Sequence, residues 1–175
     1  MRFTETPLSG AFVVEFDKIE DDRGYFGRAY CAREFEEHGL DPTIAQVNLS
    51  GNFAKGTIRG LHYQAPPHSE VKVMRCINGA IWDLIVDMRP DSPTYLKHFG
   101  IELSSENQKA LYVPEQFAHA YLALTDGAQA FYSASAFYTP GAEGGLRYDD
   151  PALGIDWPIP VEIVSEKDAS WPLLG

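Results

Sequence analysis

From Gln46 to Tyr138 the sequence is a succession of short apolar runs, each cut off within a few residues by Gly, Pro, Asn or Asp. Such spacing leaves no room for long helices and predicts strands bounded by turns. The runs "TIAQVNL", "GTIRGLHYQ", "EVKVMRCIN", "KHFGIEL", "KALYV", "HAYLAL" and "AQAFYSASAFY" all read this way, as does "AFVVEFD" over 11–17. "AIWDLIVDM" alternates Trp82, Leu84, Val86 and Met88 with Ile81, Asp83, Ile85 and Asp87, the period of a half-buried strand, until "RPDSP" ends it. Asn78-Gly79 lies between two runs and has the composition of a hairpin turn, because both residues tolerate positive φ. Only "AREFEEHGL" offers helix formers followed by a stop, at Gly39. Evenly spaced strands imply an all-β sandwich or barrel with a few short helices. The tail from "DDPALGIDWP" onward, rich in Pro and Trp, is expected to lie irregularly over that barrel. With no repeat, low-complexity tract or linker, residues 1–175 are expected to form one domain.

Hydrophobic residues make up 45% of the chain and charged ones 22%, a balance that suits a packed core rather than disorder. The formal net charge of -11 argues against a nucleic-acid surface, which needs a basic face to neutralise phosphates. A local cluster of Arg, Lys and His can still hold a small anion on an acidic protein. "MRFTETPLSG" lacks the basic head and apolar run of a signal peptide, and no apolar stretch reaches membrane-spanning length. Cys31 and Cys76 form neither a CxxC nor a dense framework. Two reduced cysteines in a cytoplasmic protein are the simplest expectation, with a single disulfide the alternative.

On "TIRGLHYQ" a strand places His62 and Gln64 on one face, with Gly60 leaving room beside them. On "VKVMRC", Lys72 shares a face with Met74 and Cys76, so it points either inward to a ligand or outward to water. On "AQAFYSASAFY", Ala130, Tyr132, Ala134, Ala136 and Tyr138 share a face. Alanines that vacate volume between tyrosines fit a pocket wall, and they fit close packing of another element equally well. A catalytic zinc or non-haem iron needs several converging His and carboxylate ligands. His62, Gln64, Glu70 and His119 make a deficient set, because an amide replaces the second strand-spaced histidine, so neither metal nor cofactor is expected.

The line "KGTIRGLHYQAPPHSEVKVMRC", followed by "YVPEQFAHAY", "FYSASAFYTPGAE" and "LRYDDPALGIDWP", with "DDRGYF" near the start, resembles the nucleotide-sugar 3,5-epimerases typified by dTDP-4-dehydrorhamnose 3,5-epimerase. The resemblance covers nearly the whole chain in the expected order. It implies a cupin-type jelly-roll β-barrel, a homodimer, and metal-independent action on a nucleoside-diphospho-4-keto-6-deoxyhexose. The 4-keto group acidifies the protons on C3 and C5, so inversion needs a base on one face, an acid on the other, and stabilisation of the enolate. By resemblance His62 is the base, Asp168 the carboxylate that orients it, Tyr132 the proton donor from the opposite face and Lys72 the cation beside the C4 oxygen. Arg23 and Arg59 resemble residues that grip the diphosphate. Gln46, Asn48, Gln64 and His119 look like pocket lining near the sugar. Tyr138 resembles the ring on which the nucleobase stacks, Phe26 another substrate contact, and Glu143 a ligand-facing carboxylate.

Three positions depart from the family pattern. Arg28 stands where a carboxylate is expected, on a segment that by the same resemblance is expected to reach the neighbouring subunit's nucleobase. A carboxylate accepts from the N3 hydrogen of thymine, whereas arginine has only donors and would suit the acceptors of cytosine. The other reading is that Arg28 points to solvent. Gln116 and Ala120 occupy positions where glycines are expected and could narrow a turn or shift His119, and Ala136 replaces a polar residue beside Tyr138. The competing functions are epimerisation at one carbon only, action on a CDP-linked sugar, 3,4-ketoisomerisation, a metal oxygenase, and a non-catalytic cupin that binds a nucleotide sugar.

Overall fold

The apolar runs become strands, and the turn residues between them fold these strands into two facing antiparallel sheets. The structure, a computed structural model, describes residues 1–175. In chain order the first elements are β1 (Arg2–Glu5), β2 (Phe12–Glu15), β3 (Ile19–Asp21), β4 (Gly24–Phe26), α1 (Ala32–Glu37), β5 (Gln46–Gly51) and β6 (Ile58–Gln64). There follow β7 (Lys72–Asn78), β8 (Ala80–Asp87), β9 (His98–Ser104), β10 (Ala110–Val113), β11 (Phe117–Ala123), β12 (Gln129–Ala134), β13 (Glu143–Gly145) and α2 (Glu166–Ala169). One sheet has the order β1-β2-β10-β7-β12-β5, the other β13-β6-β11-β8-β9, and β3 and β4 form a separate hairpin. This is the all-β jelly-roll expected, with two short helices. Strands β1, β3, β4 and β13 had no sequence signal, being three or four residues long and lacking buried positions.

Inside the barrel Met74, Cys76, Ile81, Ile85, Leu103, Leu111 and Phe117 fill one end. The outer face of the five-stranded sheet carries a second cluster, in which Leu61, Leu84, Val86 and Ala118 pack with Leu146 and Tyr148 and, from the tail, with Leu153 and Trp157. The irregular tail therefore does cover the barrel. It also corrects the expectation for β8, which is buried on both faces: Ile81 and Ile85 look into the barrel, while Leu84 and Val86 lie under the tail.

Asn78-Gly79 does not close a hairpin, because β7 and β8 belong to different sheets. Gly79, at φ +68°, turns the chain from one sheet to the other, and a Cβ there would lie 2.2 Å from Thr125 Oγ1. The turn chemistry was legible, but the sheet partner on either side was not. Likewise β12 stops at Ala134, so Ala136 and Tyr138 follow the strand rather than continue its face.

Where β8 ends, the buried Asp87 accepts hydrogen bonds from Arg89, Ser92 and Thr94 and so fixes the "RPDSPT" turn. Burial alone would push its carboxyl up; those donors outweigh it and hold it well below the usual range. A depressed pKa contributes stability that is complete above the unfolded value near about 4 and disappears as pH falls through the folded value. Asp87→Ala strands Arg89 and should cost about 3–5 kcal/mol by denaturant unfolding at neutral pH, with a smaller difference in acid. Equal losses at both pH values would contradict this account.

Candidate active site

A cavity of about 490 Å³ opens between the sheets, beyond the packed end of the core, and adjoins a second of about 240 Å³. His62, Lys72 and Tyr132 line both. His62 comes from β6 of the five-stranded sheet, whereas Lys72 and Tyr132 come from β7 and β12 of the six-stranded sheet. The histidine thus stands on one wall and the tyrosine on the other.

The tail supplies the partner of His62. Its Nε2 lies 2.6 Å from Asp168 Oδ1, and Asp168 Oδ2 accepts from the Gly60 amide at 3.2 Å. Ser165 caps α2 by accepting from the Asp168 amide, which sets the carboxylate's direction. Burial would raise the Asp168 carboxyl, yet the hydrogen bond and charge of His62, with the Gly60 and Ser165 bonds, hold it below its ordinary value. An ionised carboxylate only accepts, so Nε2 carries the proton and the other ring nitrogen is the free base. Gly60 is required nearby: at φ +121°, a Cβ would stand 2.5 Å from the His119 carbonyl oxygen and 2.6 Å from Ala120 Cα.

Opposite, burial pushes the Tyr132 hydroxyl above its usual pKa, the charges of Tyr121 and Glu70 add to this and that of Arg59 opposes it. The phenol therefore stays protonated at neutral pH. Lys72 Nζ lies 3.0 Å from Glu70 Oε1, both side chains being largely buried. It points inward, resolving the question its strand position left open. Arg59 is held by Asn52 Oδ1 at 3.0 Å and the Gly51 carbonyl at 3.1 Å.

The smaller cavity is lined by Gln46, Asn48, Gln64, Tyr138 and Glu143, among others. Here the expected sugar contacts do something else as well. Gln64 is buried, accepts from the Thr139 amide at 2.7 Å and donates to the His68 and Phe137 carbonyls. Gln46 accepts from the Tyr138 amide at 2.7 Å. Two glutamines thereby strap the segment after β12, which is how Tyr138 reaches the cavity although it lies beyond the strand. Glu143 accepts from Lys167 at 2.6 Å and from the Tyr138 hydroxyl at 3.2 Å, and the ammonium holds its carboxyl below the usual range.

Arg23, Phe26 and Arg28 line neither cavity. Arg23 pairs with Asp21 at 2.5 Å on the exposed hairpin, and Phe26 is 66% exposed. The hairpin rests on the outside of the six-stranded sheet, where Tyr25 stacks on Phe16 and Gln108 donates to its hydroxyl. That sheet separates all three residues from their own chain's cavity. Arg28 lies 3.8 Å from Glu34 and is largely exposed. Gln116 takes the left-handed conformation of a glycine, at φ +60°, and His119 remains in register with His62. Ala120 fits because Gly60, facing it, has no side chain. Neither residue displaces the site.

Residues not anticipated include Lys167, which lines the larger cavity beside Asp168, and Asp83, whose Oδ1 lies 2.7 Å from His119 Nε2. For Asp83 a signal existed: it shares a strand face with Ile81 and Ile85, where a carboxylate is out of place. Nowhere do three or more His, Cys, Asp or Glu side chains converge so as to hold a metal ion. Both cysteines are free, and no helix is long and apolar enough to cross a membrane.

A jelly-roll whose cavity holds a His–Asp pair on one wall and a protonated tyrosine with a lysine on the other has the groups of an acid–base isomerase. The family profile of dTDP-4-dehydrorhamnose 3,5-epimerase matches residues 5–175. The dTDP-4-dehydrorhamnose 3,5-epimerase of Methanothermobacter thermautotrophicus is 40% identical over 173 residues, covering 97% of this chain and 92% of its own. The crystal structure of the enzyme of that name from Elizabethkingia anophelis superimposes with a TM-score of 0.96 at 40% identity, covering 99% and 96%. That from Bacillus anthracis, with TDP and PPi bound, gives 0.95 at 36% identity and 99% coverage of both chains. The chain belongs to the dTDP-4-dehydrorhamnose 3,5-epimerase family of isomerases.

Proposed function

We propose that this protein inverts C3 and C5 of a nucleoside-diphospho-4-keto-6-deoxyhexose, converting dTDP-4-dehydro-6-deoxy-D-glucose to dTDP-4-dehydro-L-rhamnose. The observation that carries the reading is the placement of base and acid on opposite walls of one cavity. His62, oriented by Asp168, removes a proton from the carbon next to the ketone. Lys72 offers positive charge to the enolate oxygen as it develops. Tyr132 returns a proton from the other side, which inverts the centre. Arg59, with Lys167 further along the cavity, supplies the cations that hold a diphosphate on a chain of net charge -11. Tyr138 offers a ring face to the base, and Glu143, Gln46, Asn48, Gln64 and His119 complete the lining. Acid–base chemistry of this kind needs no metal or cofactor.

The test is incubation in deuterated water with the dTDP- and CDP-linked 4-keto-6-deoxyglucoses in parallel, followed by NMR. Deuterium at both carbons of the dTDP sugar is expected. Faster exchange on the CDP sugar would make Arg28 a specificity residue, exchange at C3 alone would confine the activity to one carbon, and none on either would overturn the reading.

The protein is proposed to act as a homodimer. The outer face of the six-stranded sheet leaves Val47, Leu49 and Phe131 exposed, with Leu49 and Phe131 cross-strand partners. A contiguous apolar face at a sheet edge favours a second copy. Pairing there would let the exposed hairpin carry Arg23 and Phe26 to the partner's cavity. Leu49→Glu with Phe131→Glu should halve the mass measured by light scattering, and Arg23→Ala should raise KM about tenfold or more. A wild-type monomer would reject the dimer, and an unchanged KM in Arg23→Ala would reject the hairpin's role.

A further inference from the structure

The cavity wall carries a second histidine, His119, backed by a buried carboxylate, and the proposed proton transfers leave this pair unused. His119 on β11 is the direct cross-strand partner of His62 on β6, so the two rings project side by side from one wall. His119 Nε2 lies 2.7 Å from Asp83 Oδ1, with His119 6% exposed and Asp83 fully buried. Asp83 Oδ2 is buried too and has no hydrogen-bond partner. A core carboxylate with an unpartnered oxygen is unfavourable, and an apolar or amide side chain in its place would relieve that cost. Stability does not account for Asp83, and its only polar contact is the imidazole.

We infer that Asp83 is a positioning residue that fixes the tautomer of His119, so that His119 accepts a hydrogen bond from a hydroxyl of the sugar next to the reacting carbons. With Asp83 Oδ1 as the acceptor of the 2.7 Å contact, Nε2 donates and the ring presents Nδ1 to the cavity as an acceptor. Nδ1 makes no hydrogen bond within the protein, and the residue lines the larger cavity. A ketone oxygen cannot donate to it, whereas the hydroxyls on C2 and C3 can. The two pairs then divide the work: His62 meets a C–H bond, and His119 meets an O–H bond that sets how deep and in which rotation the ring sits. This inference rests on the epimerase reading for the identity of the sugar, but the tautomer itself does not depend on it.

Asp83→Asn keeps the volume of the side chain and removes its charge. Its amide can accept from Nε2–H or donate to Nε2, so both tautomers of His119 become populated. Nitrogen-15 NMR of the histidine rings should show Nε2 protonated and Nδ1 bare in the wild type and a mixture in the variant. With dTDP-4-keto-6-deoxyglucose, KM should rise by the reciprocal of the fraction of rings that keep Nδ1 bare, about twofold for an even mixture, while kcat changes less, the signature of a contact present in ground and transition states alike. On the 2-deoxy or the 3-deoxy analogue, whichever lacks the donor, the variant and wild type should have the same KM. The melting temperature should stay level or rise.

A lowered melting temperature with unchanged tautomer and KM would overturn the inference and leave Asp83 a packing residue. An equal loss on the parent sugar and both analogues would overturn the hydroxyl contact. Should the variant fail to fold, His119→Gln offers the same comparison of KM across the three substrates. If the wild type turns over none of them, the epimerase reading fails and the NMR measurement still decides the tautomer.

Discussion

His62→Ala is expected to abolish deuterium incorporation at both C3 and C5 and to lower kcat by about three to four orders of magnitude. One imidazole must serve both carbons, because they flank a single ketone and the sugar needs only a small rotation to present either proton. Removing the ring deletes the base and uncovers Asp168, which is 4% exposed with the ring in place, while leaving its amide contact from Gly60 and the cap by Ser165 intact. The carboxylate cannot take over, as it lies behind the ring. Asp168→Asn should be less severe in folding and comparably severe in turnover, since an amide can donate to Nε2 and so turn the basic nitrogen away from the sugar. The Asp168 carboxyl is held below its usual pKa, so it is ionised throughout the neutral range. The stability this gives is complete above the ordinary carboxyl value and is lost only as pH falls through the depressed one. Exchange at either carbon close to the wild-type rate in His62→Ala would remove His62 from the mechanism.

Tyr132→Phe should separate the two halves of the reaction. The substitution removes one oxygen from a half-buried side chain on β12 and leaves the ring to pack against the core. Proton abstraction by His62 continues, so solvent deuterium still enters the sugar. Return of the proton from the opposite wall is lost, and the rate of inversion at C5 should drop about a hundredfold or more. Following stereochemistry and exchange together by NMR reads both steps at once. A variant that inverts C5 at the wild-type rate would show that another group, or water, delivers that proton.

Local patterns carried most of the barrel. Most long strands were announced by an apolar run bounded by turn residues, because a strand's pleat and a turn's backbone preference are properties of a few neighbouring residues, although β12 stops at Ala134, short of the end of its run. What each strand pairs with is not local, and so Asn78-Gly79 looked like a hairpin when it is the corner between sheets. The same limit applies to the cavity. His62 and Lys72 could be assigned faces from alternation, but their meeting across the barrel depends on sheet stacking that no single run encodes. Asp168 offered almost nothing by itself, since an Asp in a polar tail segment resembles any solvated turn; the likeness to a known family drew attention to it. Asp83 was visible as a carboxylate among isoleucines, yet its partner lies on a strand far along the chain.

The pair formed by His62 and Asp168 joins residues 106 positions apart, one on a central strand and the other on the tail laid over the sheet. Long-range contacts of this kind close late, after local strands have found their partners. A barrel whose tail has not yet docked would already have its walls, its tyrosine and its lysine, but its histidine would lack a fixed orientation. Enzymatic activity therefore reports completion of the fold: a refolding chain should regain its β-sheet signal before its turnover, with the interval marking the arrival of the last helix.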